Sequence, residues 1–324
     1  MKRFIQSEVG AIVLWAFSAL FIAAIVVPWL YIGGKQFAAY AASNELSSFL
    51  EWLAGACGRA QLGRYYNRAM LFSAICLLPV LIRRIRHIGR QNNAAGIIST
   101  TPIGAKNAII HLLVACFISA GILWLTGLSL EMAGAYSDRP EAVDIARLIK
   151  KALVPALVAS FIEEWIFRGV LLGLWLRTAK PLNACIGSTL LFSFLHFLNP
   201  PEVIGDPTNA LAGFELLGKT LLHFADPLFF VTDFATLTAV GLILCWARLR
   251  AHSLWFPIGL HMGWVLAFKA HNLTFLPTKH HWLKPWGIGE GLRSGLVPML
   301  ALVVTFVVCY FVLSRLSPKR PQGS

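Results

Sequence analysis

The sequence predicts an all-α polytopic membrane protein, with about eight transmembrane helices and a core bundle. Three observations predict it. Of the 324 residues, 57% are hydrophobic and only 13% are charged, against roughly 25% charged in a soluble domain. The apolar residues come in runs close to the ~20 residues that cross a bilayer as a helix, and the mean hydropathy is +0.68. Lys and Arg gather in short loops beside those runs, where the positive-inside rule operates.

The runs fall at about residues 11–33, 67–82, 107–130, 151–176, 181–198, 228–247, 254–270 and 294–314. The first follows Lys2 and Arg3 and is longer than the about 7–15 apolar residues of a signal peptide, so it reads as an uncleaved span. The second and seventh are short and broken by polar residues, and a partial merger of the sixth with the seventh is an alternative to two separate spans. Segments 34–66, 131–150, 199–227 and 271–293 read as the sizeable pieces outside the membrane. Without an internal repeat or a soluble domain, one membrane domain is expected: helices and loops over 1–150, a core over 151–270, and a loop with a last helix over 271–324.

Orientation follows the cations. Lys2, Arg3, Arg83, Arg84, Arg86, Arg90, Lys106, Arg177, Lys180, Arg248, Arg250, Arg315, Lys319 and Arg320 share one side if both termini are cytoplasmic, and they flank the spans closely. The net charge of +13 therefore serves membrane orientation, and no nucleic-acid partner is expected. Cys57, Cys76, Cys116, Cys185, Cys245 and Cys309 form no C-x-x-C pair and read as small core residues.

The fourth run holds what a membrane does not tolerate without reason. It reads Phe161, Ile162, Glu163, Glu164, Trp165, Ile166, Phe167, Arg168, Gly169. Each ionised group costs about 2.5–3.5 kcal/mol at a helix centre, so three unpaired would cost roughly 7–10 kcal/mol. On an α-helix Glu164 and Arg168 lie within about 40° of each other, one turn apart, which suits an ion pair. Glu163 lies about 140° from Arg168 and is left to take a proton from water. A wholly structural triad is the bland alternative.

Two later runs each carry a histidine. His196 closes Phe192, Ser193, Phe194, Leu195, His196, ahead of Asn199, Pro200 and Pro201; His261 sits mid-run between Gly259 and Gly263. Either one alone reads equally well as a packing residue, and together with Glu163 they point to a site. Gly169 with Gly173, and Gly259 with Gly263, have the G-x-x-x-G spacing that lets helices approach closely in lipid.

These three segments resemble the CAAX prenyl protease and bacteriocin-processing (CPBP, or Abi) family of membrane proteases. Its motifs are E-E-x-x-x-R, F-x-x-x-H and H-x-x-x-N on successive core helices. Glu163, Glu164 and Arg168 match the first, Phe192 and His196 the second, and His261 begins the third. The resemblance covers about residues 150–270 and makes 151–270 the expected catalytic core. It implies an intramembrane endopeptidase in which Glu163 and His196 activate water, His261 serves the oxyanion, and Glu164 and Arg168 support them. It also implies a bilayer environment, a membrane-associated or lipidated peptide substrate, and a plasma (inner) membrane of a prokaryote. A carboxylate in apolar surroundings becomes a stronger base, which suits the chemistry. One position departs: Val265 stands where the family has Asn, and loss of an oxyanion donor costs about 10²–10³ in rate. The Trp264 indole is a candidate substitute.

Asp233, near Thr232 and Thr236, either lines a cavity or makes a packing hydrogen bond; His280 and His281 read as solvated. Gly287, Gly289 and Gly291 lack the preceding strand of a phosphate loop, so no cofactor is expected. Two histidines and a carboxylate suit zinc, so a zinc-dependent protease is the nearest alternative, although no H-E-x-x-H pair is present. A transporter and a non-catalytic immunity or scaffold protein are the others.

Overall fold

The computed structural model describes residues 7–91, 103–141, 143–177, 179–198, 205–279, 281–289 and 291–316. They are almost wholly helical, in an all-α polytopic membrane architecture. Contacts divide the chain into two units, Met1–Ala95 with His196–Asp226, and Gly96–Leu195 with Pro227–Ser324.

The first unit begins with α1 (Glu8–Ala42), whose start is capped where Ser7 Oγ accepts from the Gly10 N–H at 3.0 Å. At about 1.5 Å per residue α1 runs roughly 52 Å, well beyond a hydrocarbon core of about 30 Å. α2 (Ser48–Arg59) and α3 (Leu62–Gln91) fold back on it. Trp15 donates to the Ala74 carbonyl at 2.9 Å and Tyr66 to the Leu20 carbonyl at 3.0 Å. Lys35 Nζ donates to the Gly58 and Ala60 carbonyls, a cation at the C-terminal end of α2. Segment 34–66 is thus largely helical and not the loop that its polar composition suggests; these tertiary bonds outweigh weak local apolarity. α7 (Ala212–Leu222) packs against α1.

The second unit holds α4 (Ala105–Met132), a helical path α5 over 145–175, α6 (Pro181–His196, whose last residue falls to the first unit), α8 (Pro227–Ala251), α9 (Trp255–Thr274) and α10 (Leu296–Leu316). Two three-residue strands, β1 (Tyr136–Asp138) and β2 (Phe275–Pro277), pair antiparallel with Ser137 opposite Leu276. Leu123, Leu244, Phe256, Leu260, Trp264 and Leu302 form the main core. Outward faces carry Phe117, Leu125 and Leu300 in the open, as acyl chains require.

Each expected run coincides with a helix. Among the described residues, Glu8–Ala42, Ala105–Met132, Pro227–Ala251 and Leu296–Arg315 are long and apolar enough to cross a membrane. Of the other four, α3 carries arginines and α9 bears polar groups, while α6 has only 16 residues and α5 changes helical type along its path. All six cysteines are free, and Cys76 is exposed on α3 instead of lying in a core.

α4 and α9 pack with their backbones in near contact. A Cβ at Gly259 or Gly263 would collide with the Leu112 or Cys116 carbonyl oxygen, so only glycine fits. Gly169 has no such duty, since a Cβ there would meet nothing nearer than Leu254 at 3.4 Å. Gly263→Val is expected to cost at least the about 1–3 kcal/mol of overpacking, read as a lowered thermal midpoint in detergent. An unchanged midpoint would contradict this packing.

Candidate active site

The site is built on α5. Its path runs as α-helix over Val154–Glu164 and widens to a π-helical turn over Trp165–Leu171, where the Leu172 N–H donates to the Phe167 carbonyl five residues back. Such turns are rare and concentrate at functional sites. The turn begins directly after the two glutamates and contains Arg168.

Glu164 Oε1 and Arg168 Nη1 lie 3.0 Å apart, and neither side chain has any exposed surface. Arg168 Nη2 also donates to the Gly241 carbonyl of α8 at 3.3 Å. The Phe192 ring of α6 lies 4.3 Å from the guanidinium carbon, a cation–π contact in a desolvated setting. Phe192 also stands nearly perpendicular to the His261 ring, with 6.4 Å between centroids. The charge on Arg168 is therefore met by a carboxylate, a carbonyl and an aromatic face. Unpaired burial, the cost that makes these residues anomalous in the sequence, is thereby avoided.

His261 projects from α9 between the two glutamates. Its Nδ1 lies 2.9 Å from Glu164 Oε1, and its Nε2 lies 3.7 Å from Glu163 Oε2. Since a carboxylate only accepts, Nδ1–H donates to Glu164, which leaves Nε2 turned toward Glu163. Glu163 retains 27% of its side-chain surface exposed where Glu164 retains none. Of the two carboxylates, only Glu163 can meet water or a substrate. The chain Arg168–Glu164–His261–Glu163 thus runs from a closed end to an open one.

The structure brings together Glu163, Glu164, Arg168 and His261. His196 is the exposed last residue of α6, at the boundary where the other unit begins, and the cluster consists of second-unit residues. The sequence reading missed two things: the His261–Glu164 hydrogen bond and the Gly241 carbonyl. A glycine inside a long apolar span is the one signal for the latter, and a Cβ there would press on Thr189 at 2.6 Å.

Val265 is half-buried and packs with Cys116, Ala156 and Met262, so its position offers no hydrogen-bond donor. Trp264 belongs to the main apolar core. Asp233 Oδ2 accepts from Thr232 Oγ1 at 2.8 Å, a bond within its own helix. His281, expected to be solvated, donates from Nε2 to the Ala133 carbonyl at 3.0 Å, which ties the loop after β2 to the end of α4; His280 lies outside the described residues. Gly289 donates to the Ser294 carbonyl within a turn. Among the described residues no three His, Cys, Asp or Glu side chains are grouped to hold a metal ion. Glu164 Oε1, the carboxylate oxygen on His261, already faces a guanidinium, so the donor set around His261 does not fit zinc.

Fold and site together define an integral membrane protein with a buried Glu–Arg–His cluster on its core helices. Residues 146–267 match the family model described as type II CAAX prenyl endopeptidase Rce1-like, so this part of the chain is similar to that family. The matched segment contains every residue of the cluster. Comparison with curated proteins and with solved structures finds no match.

Proposed function

We propose that the protein hydrolyses a peptide bond of a membrane-associated or lipidated substrate with a water activated by Glu163, without a metal. The observation that carries this reading is the partly exposed Glu163 side chain beside His261, whose other nitrogen is held by the buried Glu164–Arg168 pair.

In the proposed step Glu163 takes a proton from water as the water oxygen bonds to the substrate carbonyl carbon. The carbonyl oxygen gathers negative charge beside His261, which meets it with an Nε2–H donor while the ring carries both protons and Nδ1–H stays on Glu164. The C–N bond then breaks, and the proton on Glu163 passes to the leaving amine. Glu164 and Arg168 are positioning residues: they fix the imidazole's rotation and keep its Nε2 toward the open end. His196 is proposed to share in activating the water on the strength of the F-x-x-x-H motif alone. With Val265 offering no second oxyanion donor, turnover is expected to be slower by about 10²–10³ than in a site that has one. The family's description makes a prenylated C-terminal peptide the first substrate class to try.

Peptidase activity of the purified, reconstituted chain is expected to be unchanged by strong chelators, with no stoichiometric zinc on elemental analysis. Loss of activity on chelation, restored by zinc, would overturn the metal-free reading.

A further inference from the structure

On the surface of the second unit, α6, α8 and α10 enclose an open groove of about 610 Å³, within the roughly 300–1,000 Å³ of small-molecule sites. Its walls include Leu182, Leu242, Trp246, Leu249 and Phe306, and among the described residues its one ionic lining residue is Arg250. Leu249 packs against the same small apolar cluster, Leu172, Ala184, Cys185 and Cys245, as do Trp175 and Leu176 at the end of α5. The cations of the next turn, Arg177 and Lys180, therefore lie at the same end of the bundle as Arg250. Trp246 stands edge-on to Phe306 at 4.7 Å and nearly parallel to Tyr310 at 6.5 Å. Trp and Tyr at the end of spans mark the headgroup level.

A hydrocarbon slot lined by one exposed guanidinium, with further cations at the same end of the bundle, suits a ligand made of an apolar chain ending in an anion. In a bilayer that ligand is at hand, and basic pockets between helices take anionic headgroups. We propose that this groove is a binding site for an anionic phospholipid, with one acyl chain along Leu182, Leu242 and Phe306 and the phosphate on Arg250. A zwitterionic lipid offers the same chains, so selection rests on net headgroup charge at the cationic end. The groove shares α8 with Gly241, whose carbonyl holds Arg168, but lipid binding does not depend on peptidase chemistry.

Native mass spectrometry of the full chain, loaded with phosphatidylglycerol or with phosphatidylcholine of identical acyl chains, tests the proposal. Phosphatidylglycerol is expected to remain bound preferentially. Arg250→Glu should cut that retention about fivefold or more, the weight of a basic residue near an anionic surface, and Leu242→Trp, which fills the slot, should cut it too. Lys151→Glu, an exposed cation on α5 away from the groove lining, should leave it unchanged. Equal retention of the two lipids, full retention in both groove variants, or an equal loss in Lys151→Glu would overturn the proposal. So would a dimer that Leu242→Trp dissociates, because a second copy would then be the occupant.

Discussion

Glu163→Gln is expected to lower peptide cleavage by about 10²–10⁴, the contribution of a positioned general base, while the folded protein survives. Gln keeps the shape of the side chain and loses only its capacity to take a proton. Glu163 is the partly exposed member of the cluster, and its Oε2 stands 3.7 Å from His261 Nε2, so the substitution leaves no isolated buried charge. The thermal midpoint should therefore move little. Substrate binding should persist while cleavage is lost, which divides the protease from a non-catalytic membrane partner, the reading that Val265 keeps open. A partner protein would lose no function in Glu163→Gln; a protease would hold its substrate uncut.

The second large effect falls on stability. Arg168→Met is expected to destabilise by about 3–5 kcal/mol, because it leaves the Glu164 carboxylate without its cation in a fully closed site, with only the His261 N–H to meet it. Glu164→Leu should cost a similar amount by stranding the guanidinium, of which the Gly241 carbonyl and the Phe192 face meet only a part. The double variant Glu164→Leu with Arg168→Met removes both charges, and such replacements are often neutral or stabilising. Its midpoint in detergent should recover most of the loss. Its activity should not recover, since His261 Nδ1 then has no acceptor to hold the ring. Recovery of activity along with stability would assign the ion pair a purely structural role.

How much of this was legible beforehand depended on whether the information was local. Pairing of Glu164 with Arg168 follows from four-residue spacing on one helix, and the structure retains it even though the backbone widens into a π turn directly after Glu164. That widening has no residue pattern to announce it. Placement of His261 between two carboxylates depends on which face of α9 meets α5, and this is set by α9 lying flush on α4 through Gly259 and Gly263. The glycine spacing was visible, but the partner helix was not. Segment 34–66 reads as a loop by composition, yet tertiary bonds such as Lys35 to Gly58 and Ala60 belong to helices there. The β1–β2 ladder, three residues a side, is too short for any alternation to show. Phe192 was legible as a motif position, whereas its place against the Arg168 guanidinium was not.

The most direct test compares membrane-protein termini from cells carrying the wild-type chain with those from cells carrying Glu163→Gln, followed by cleavage of the affected peptides by the purified proteins. Expected is a discrete set of substrates left unprocessed only with Glu163→Gln, each cut in vitro by the wild type alone. Identical termini in the two membranes, or equal cleavage by both proteins, would contradict a glutamate-driven protease.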